Sequence, residues 1–150
     1  METSGVLMQF KDLGMAAALG LSAVGSAMGV GAGGMAAIGA WKKCYAQNKT
    51  APFLLIVFIG APLSQTIYGM ILMNKIATVV GQGAFLGSMG IFGGMAIGLS
   101  AYAQGRIGAA GADALAETGK GFTNYLIALG VAETVALFVM VFMLGKVGAF

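Results

Sequence analysis

Residues 130–141 read G-V-A-E-T-V-A-L-F-V-M-V, an apolar run with one carboxylate, Glu133, set into it. No other charged residue lies between Lys120 and Lys146. The stretch predicts a membrane-crossing helix, and the composition around it agrees. Of 150 residues, 59% are hydrophobic and 9% are charged, with a mean hydropathy of +0.91. A water-soluble domain carries about a quarter charged residues. The chain therefore reads as an integral, multi-pass membrane protein.

Working outward from Glu133, apolar segments fall at about 13–41, 51–73, 84–112 and 123–144. Each is long enough for a hydrocarbon core that takes about 20 helical residues. The breaks carry turn chemistry: K-K-C-Y-A-Q-N-K-T-A-P, then N-K and G-Q-G, then A-E-T-G-K-G. The expected fold class is all-α, with four transmembrane helices. Segments one and three exceed the bilayer's need, so they tilt or extend beyond it. M-E-T-S-G-V-L-M-Q-F lacks the basic region of a cleavable signal, so the chain is read as mature.

G-L-S-A at Gly20–Ala23 recurs at Gly98–Ala101, and the same register sets Gly33 against Gly111. A second, weaker register pairs Ile59 with Ile127 and Thr66 with Thr134, which places Gln65 opposite Glu133. The chain thus divides into two similar helical hairpins, 1–78 and 79–150, a parallel internal repeat. Gly25, Gly29 and Gly33 recur every four residues, as do Gly90, Gly94 and Gly98. That spacing lines one helix face with small residues and lets backbones approach. Two glycine-lined helices and two bulkier ones predict an inner and an outer layer.

The net charge of +3 is small, and nothing in its distribution marks a nucleic-acid surface. Lys42, Lys43, Lys49 and Lys120 fall in the first and third loops, against Lys75 in the second and Lys146 near the end. By the positive-inside bias, loops 42–50 and 113–121 are cytoplasmic and both termini lie outside. One cysteine, Cys44, permits no internal disulfide, and the absence of histidine removes His-based catalysis and His metal sites. Gly119–Lys120 lacks the upstream glycine of a P-loop, so the chain is expected to bind no nucleotide.

A carboxylate at mid-membrane costs about 2.5–3.5 kcal/mol on insertion scales, and such groups mark ion and proton pathways. A carboxyl group stable there only when loaded with a proton or a cation is a natural carrier. In A-P-L-S-Q-T-I-Y, residues Ala61, Ser64, Gln65 and Tyr68 share one helical face at the expected depth of Glu133. Pro62 has no N–H, which leaves nearby carbonyls less fully engaged. Gln104, in S-A-Y-A-Q-G-R, adds a second amide near that depth. Oxygen atoms replace the hydration shell of a small hard cation. Two glutamines and a hydroxyl exceed what a proton needs, so the set favours Na⁺, with H⁺ as the alternative. Arg106 is expected to face the interior of an assembly, meet a lipid head group or snorkel toward the cytoplasm. Asp113, Glu117 and Lys120 are expected to form a solvated loop face.

P-L-S-Q-T-I-Y-G, A-Q-G-R-I-G-A-A-G and V-A-E-T-V-A, with G-S-A-M-G-V-G in the first helix, resemble the duplicated four-helix proteolipid that forms the rotor ring of V/A-type ATPases. The resemblance covers essentially the whole chain. It implies a homo-oligomeric ring in a membrane, the cell membrane in a prokaryote. Central-stalk subunits would turn it at the cytoplasmic loops, against a stator subunit whose membrane helix bears an arginine. In sodium-carrying members it implies an ion held by Glu133, Gln65, Gln104, Ser64 and the main-chain carbonyl of Ala61, with Tyr68 latching Glu133. Ser64 stands where the family pattern has threonine. The chain alone would catalyse nothing. Two other classes share parts of the pattern: a small four-helix secondary transporter using Glu133, and a structural or pore-forming tetraspan.

Overall fold

The computed structural model describes Phe10 and residues 12–80 and 86–149. It is all-helical. Helix α1 spans Leu13–Ala46. Helix α2 spans Leu55–Val80, with a single 3₁₀ turn at Ala61–Leu63 between two α-helical parts. Helices α3, Gly87–Thr118, and α4, Phe122–Val147, complete the chain. The expected start of segment three at 84, the G-Q-G break and residues 1–9 lie outside the described residues.

The helices run further than the apolar segments predict. At about 1.5 Å per residue, the 34 residues of α1 and the 32 of α3 reach well past a hydrocarbon core of about 30 Å. Lys42 and Lys43 therefore belong to the last turns of α1, and Asp113 and Glu117 to α3, where loops are expected. There Lys43 Nζ meets Glu117 Oε1 at 3.3 Å. Both side chains are largely exposed, so the pair contributes at most about 1 kcal/mol. The expected hairpin boundary at 78/79 falls inside the last turn of α2 for the same reason.

Each break has a local cause. After α1, Asn48 takes the left-handed conformation (φ 53°), and Trp41 Nε1 donates to the Pro52 carbonyl at 2.8 Å across the loop. Between α3 and α4, Gly119 and Gly121 both have positive φ, 65° and 86°, which a residue bearing Cβ adopts only with strain. In α2, Pro62 offers no N–H to the carbonyl of Phe58 four residues back, and the ladder tightens into the 3₁₀ turn.

Helices α1 and α3 lie side by side and parallel, in contact through backbone. A Cβ on Gly25 would strike the backbone of Gly98, one on Gly90 that of Gly14, and one on Gly105 that of Gly29. Helices α2 and α4 cover this pair with larger side chains. One apolar core gathers Ala18, Leu72, Ile76, Ile97 and Ala136. A second, nearer the loop that joins α3 to α4, gathers Ala37, Leu55, Phe58, Ala112 and Leu129.

Three helices, α1, α2 and α4, are long and apolar enough to cross a membrane. Helix α3 falls short of the expected fourth on hydropathy alone, because glycines and Gln104, Arg106, Asp113 and Glu117 replace large apolar residues in it. Packed against α1 from Gly90 to Gly105, it nevertheless shares that helix's depth. Outward-facing Phe138, Phe142, Val131 and Ile127 leave α4 with an apolar exterior, as expected of an integral membrane protein.

The glycine contacts make a sharp prediction. Gly25→Val should abolish the native fold, since the clash is with backbone and cannot be relieved by a rotamer. Gly20→Ala, with open space around it, should be neutral or stabilising by up to about 1 kcal/mol. Thermal unfolding of the two variants in detergent checks the contrast.

Candidate ion-binding site

Glu133 sits near the middle of α4, facing the junction of α4, α2 and α3. Its Oε1 accepts two short hydrogen bonds from α2, from Ser64 Oγ at 2.6 Å and from Tyr68 Oη at 2.7 Å. Its Oε2 accepts one from Gln104 Nε2 of α3 at 3.3 Å. O–H···O distances of about 2.5–2.7 Å are typical of charge-assisted bonds to a carboxylate. Three helices thus converge on one carboxyl group.

The surrounding oxygens are arranged around Ser64. Besides Glu133 Oε1, its hydroxyl lies 3.2 Å from the Ala61 carbonyl and 3.1 Å from Gln65 Oε1. One hydroxyl hydrogen cannot serve three acceptors. Four oxygens, from Ser64, Ala61, Gln65 and Glu133, are therefore gathered where donors are scarce. The 3₁₀ turn at Ala61–Leu63 brings the Ala61 carbonyl there. The Phe58 carbonyl, which Pro62 leaves without its helical donor, points elsewhere. It faces the glycine surfaces of α1 and α3, where a Cβ on Gly33 or Gly108 would come within 2.7 or 2.8 Å of it.

The glutamines form the floor. Both are buried, Gln65 fully and Gln104 at 1% exposure. Gln65 Nε2 donates to Gln104 Oε1 at 2.8 Å. Gln104 Nε2 donates to Glu133 and to the Leu129 carbonyl at 3.1 Å. The structure brings together all six residues singled out from the sequence. It also differs from the expectation in one respect: Gln104 turns its amide nitrogen, not its oxygen, toward Glu133. Its oxygen is the acceptor for Gln65.

Other expectations shift. Arg106 is exposed, but its guanidinium lies 5.9 Å from the ring centre of Tyr102, one turn toward the start of α3. It leans back toward the start of α3, following the tilt of helical side chains toward the N-terminus. Cys44 is buried, its Sγ 3.8 Å from the Ala116 carbonyl. Sequence reasoning missed Ser100, whose hydroxyl donates to the Ala132 carbonyl at 2.6 Å and so anchors α4 beside Glu133. The repeated G-L-S-A was its only signal. Its repeat partner Ser22 bonds chiefly within α1, to the Ala18 carbonyl at 2.7 Å, with a longer approach to the Gly94 carbonyl of α3 at 3.5 Å.

Residues 86–144 match the family model of the ATP synthase C subunit. The match spans α3, the turn and most of α4, and it includes Ser100, Gln104 and Glu133. The second hairpin is thus similar to that protein. No curated protein matches the chain.

Ser100→Ala should loosen the α3–α4 contact without touching a site oxygen. The expected loss is about 0.6 kcal/mol, the average for hydrogen bonds between membrane helices, and no more than about 1.7. A small drop in the thermal midpoint in detergent, with the site's ion response unchanged, checks it.

Proposed function

We propose that the chain is a rotor-ring subunit of a membrane ATPase or ATP synthase of the V/A type, and that it carries one cation, Na⁺, on Glu133. The observation that carries this reading is the gathering of three oxygens, one of them carboxylate, around the Ser64 hydroxyl in the middle of apolar helices. Similarity of residues 86–144 to the ATP synthase C subunit supports the rotor role. The sequence resemblance to the duplicated, four-helix proteolipid extends it to the first hairpin and to the V/A type.

On this reading a neutral pair, cation and carboxylate, allows a loaded copy to pass lipid at a cost that a bare carboxylate would not permit. Glu133, Ser64, Gln65 and the Ala61 carbonyl provide the oxygens. Gln104 becomes a ligand by turning its oxygen inward, away from Gln65. Tyr68 holds the carboxylate from outside the cage. The ring of identical copies turns against a stator helix whose arginine competes for Glu133, and a low dielectric makes that competition strong. Central-stalk subunits grip the end where α1 and α3 project with Lys42, Lys43, Asp113 and Glu117.

A carbodiimide that modifies Glu133 tests the cargo. Na⁺ at constant pH should slow the modification, whereas dependence on acidity alone would make the carrier one for H⁺. Gln65→Leu should raise the Na⁺ needed for half-protection about tenfold, equivalent to about 1.4 kcal/mol. Ile67→Leu, on the exposed side of α2, should leave it unchanged. Glu133→Gln should abolish ATP-driven Na⁺ uptake in vesicles while the ring still assembles, and retained uptake would remove Glu133 as the carrier.

A further inference from the structure

Among the described residues, Ser26 Oγ is the one buried side-chain oxygen or nitrogen without a hydrogen-bond partner. It lies mid-way along α1, at 2% exposure. A buried hydroxyl that bonds to nothing costs free energy that alanine would not, so its position calls for a use. Helices α1 and α2 run antiparallel. Their close approaches pair Ser22 with Gly69, Gly29 with Pro62 and Gly33 with Phe58. Each step up α1 is a step back along α2, and Ser26 falls level with Gln65. The unpartnered hydroxyl is therefore level with the ion site on α1, a helix that provides none of its ligands.

Gln65 is where a partner is required. Its Nε2 carries two hydrogens, and the hydrogen bond it makes is to Gln104 Oε1. Turning that oxygen to a cation takes it from Gln65 and sets one amide N–H group against another. Gln65 must also keep its own Oε1 toward Ser64 and the cage, which directs its nitrogen away from the cation. A site this buried has no bulk water to accept the displaced hydrogen, and leaving it unbonded is unfavourable.

We propose that Ser26 Oγ is the acceptor that Gln65 Nε2 takes when the site is loaded. Ser26 is then a positioning residue for cation selectivity, acting through Gln65 without touching the ion. The inference rests on the sodium-carrier reading above. It adds a residue from the first helix to a site otherwise built by the other three.

The test uses assembled rings in native membranes, with carbodiimide modification of Glu133 as the readout. Ser26→Ala should raise the Na⁺ concentration for half-protection about five- to tenfold. Modification without Na⁺ should keep its pH profile, and the thermal stability of the ring should hold or rise, because an orphaned hydroxyl has gone. In the Gln65→Leu background, Ser26→Ala should add nothing. Unchanged Na⁺ protection in Ser26→Ala, or a loss that adds fully to that of Gln65→Leu, overturns the proposal while the carrier reading stands. Should Ser26→Ala fail to assemble, Ser26→Cys keeps the volume with a weaker acceptor and carries the same comparison. If the parent ring itself shows no protection by Na⁺, the cation reading fails and takes this role for Ser26 with it.

Discussion

A carboxylate in the middle of an apolar helix must be met by groups from other helices, and most of this structure follows from that requirement. Water cannot reach it freely, and its own helix uses its backbone donors internally. Glu133 is met by two hydroxyls from α2 and an amide from α3. Those three bonds demand that α2, α3 and α4 hold a common depth. The hydroxyl of Ser100 on the Ala132 carbonyl keeps α4 in register for them.

Close packing of α1 against α3 provides the rigid side of that arrangement. Where glycine meets glycine, as at Gly25 and Gly98, the helix axes approach until backbone touches backbone. Membrane helices lack a hydrophobic drive toward one another, so such close contact and a few interhelical hydrogen bonds hold them together. With α1 and α3 so near, the faces bearing Ser26 and Gln104 are buried, and a polar group there has only the bundle in which to find a partner. The glutamine relay, Gln65 to Gln104 to Glu133, is the answer visible in the structure.

On the carrier reading proposed above, this relay separates an empty, ionised site from a cation-loaded one in physical terms. With Gln104 presenting N–H groups, the site suits a carboxylate held by donors. With Gln104 turned, it becomes a set of oxygens suited to a hard cation. One amide rotation divides the two, and the hydrogen bonds around it set how readily each is adopted. Glutamine suits the position because its two ends are nearly the same size and of opposite polarity.

Much of the site was legible in the sequence. Ala61, Ser64, Gln65 and Tyr68 are spaced to share a helical face, and Glu133 announces itself as the lone charge in an apolar run. Hydropathy marks α1, α2 and α4 most clearly, and glycine spacing marks α3 as the close partner of α1. Helix ends were less legible, because the polar residues of Lys42–Lys43 and Asp113–Glu117 look like loops although the helices continue through them. Periodicity along one chain segment tells which residues share a face. It does not tell which atom of an amide points where, because the choice depends on donors and acceptors that arrive from other helices. The orientation of Gln104, the anchoring by Ser100 and the burial of Ser26 without a partner, level with Gln65, were therefore decided only by the tertiary structure.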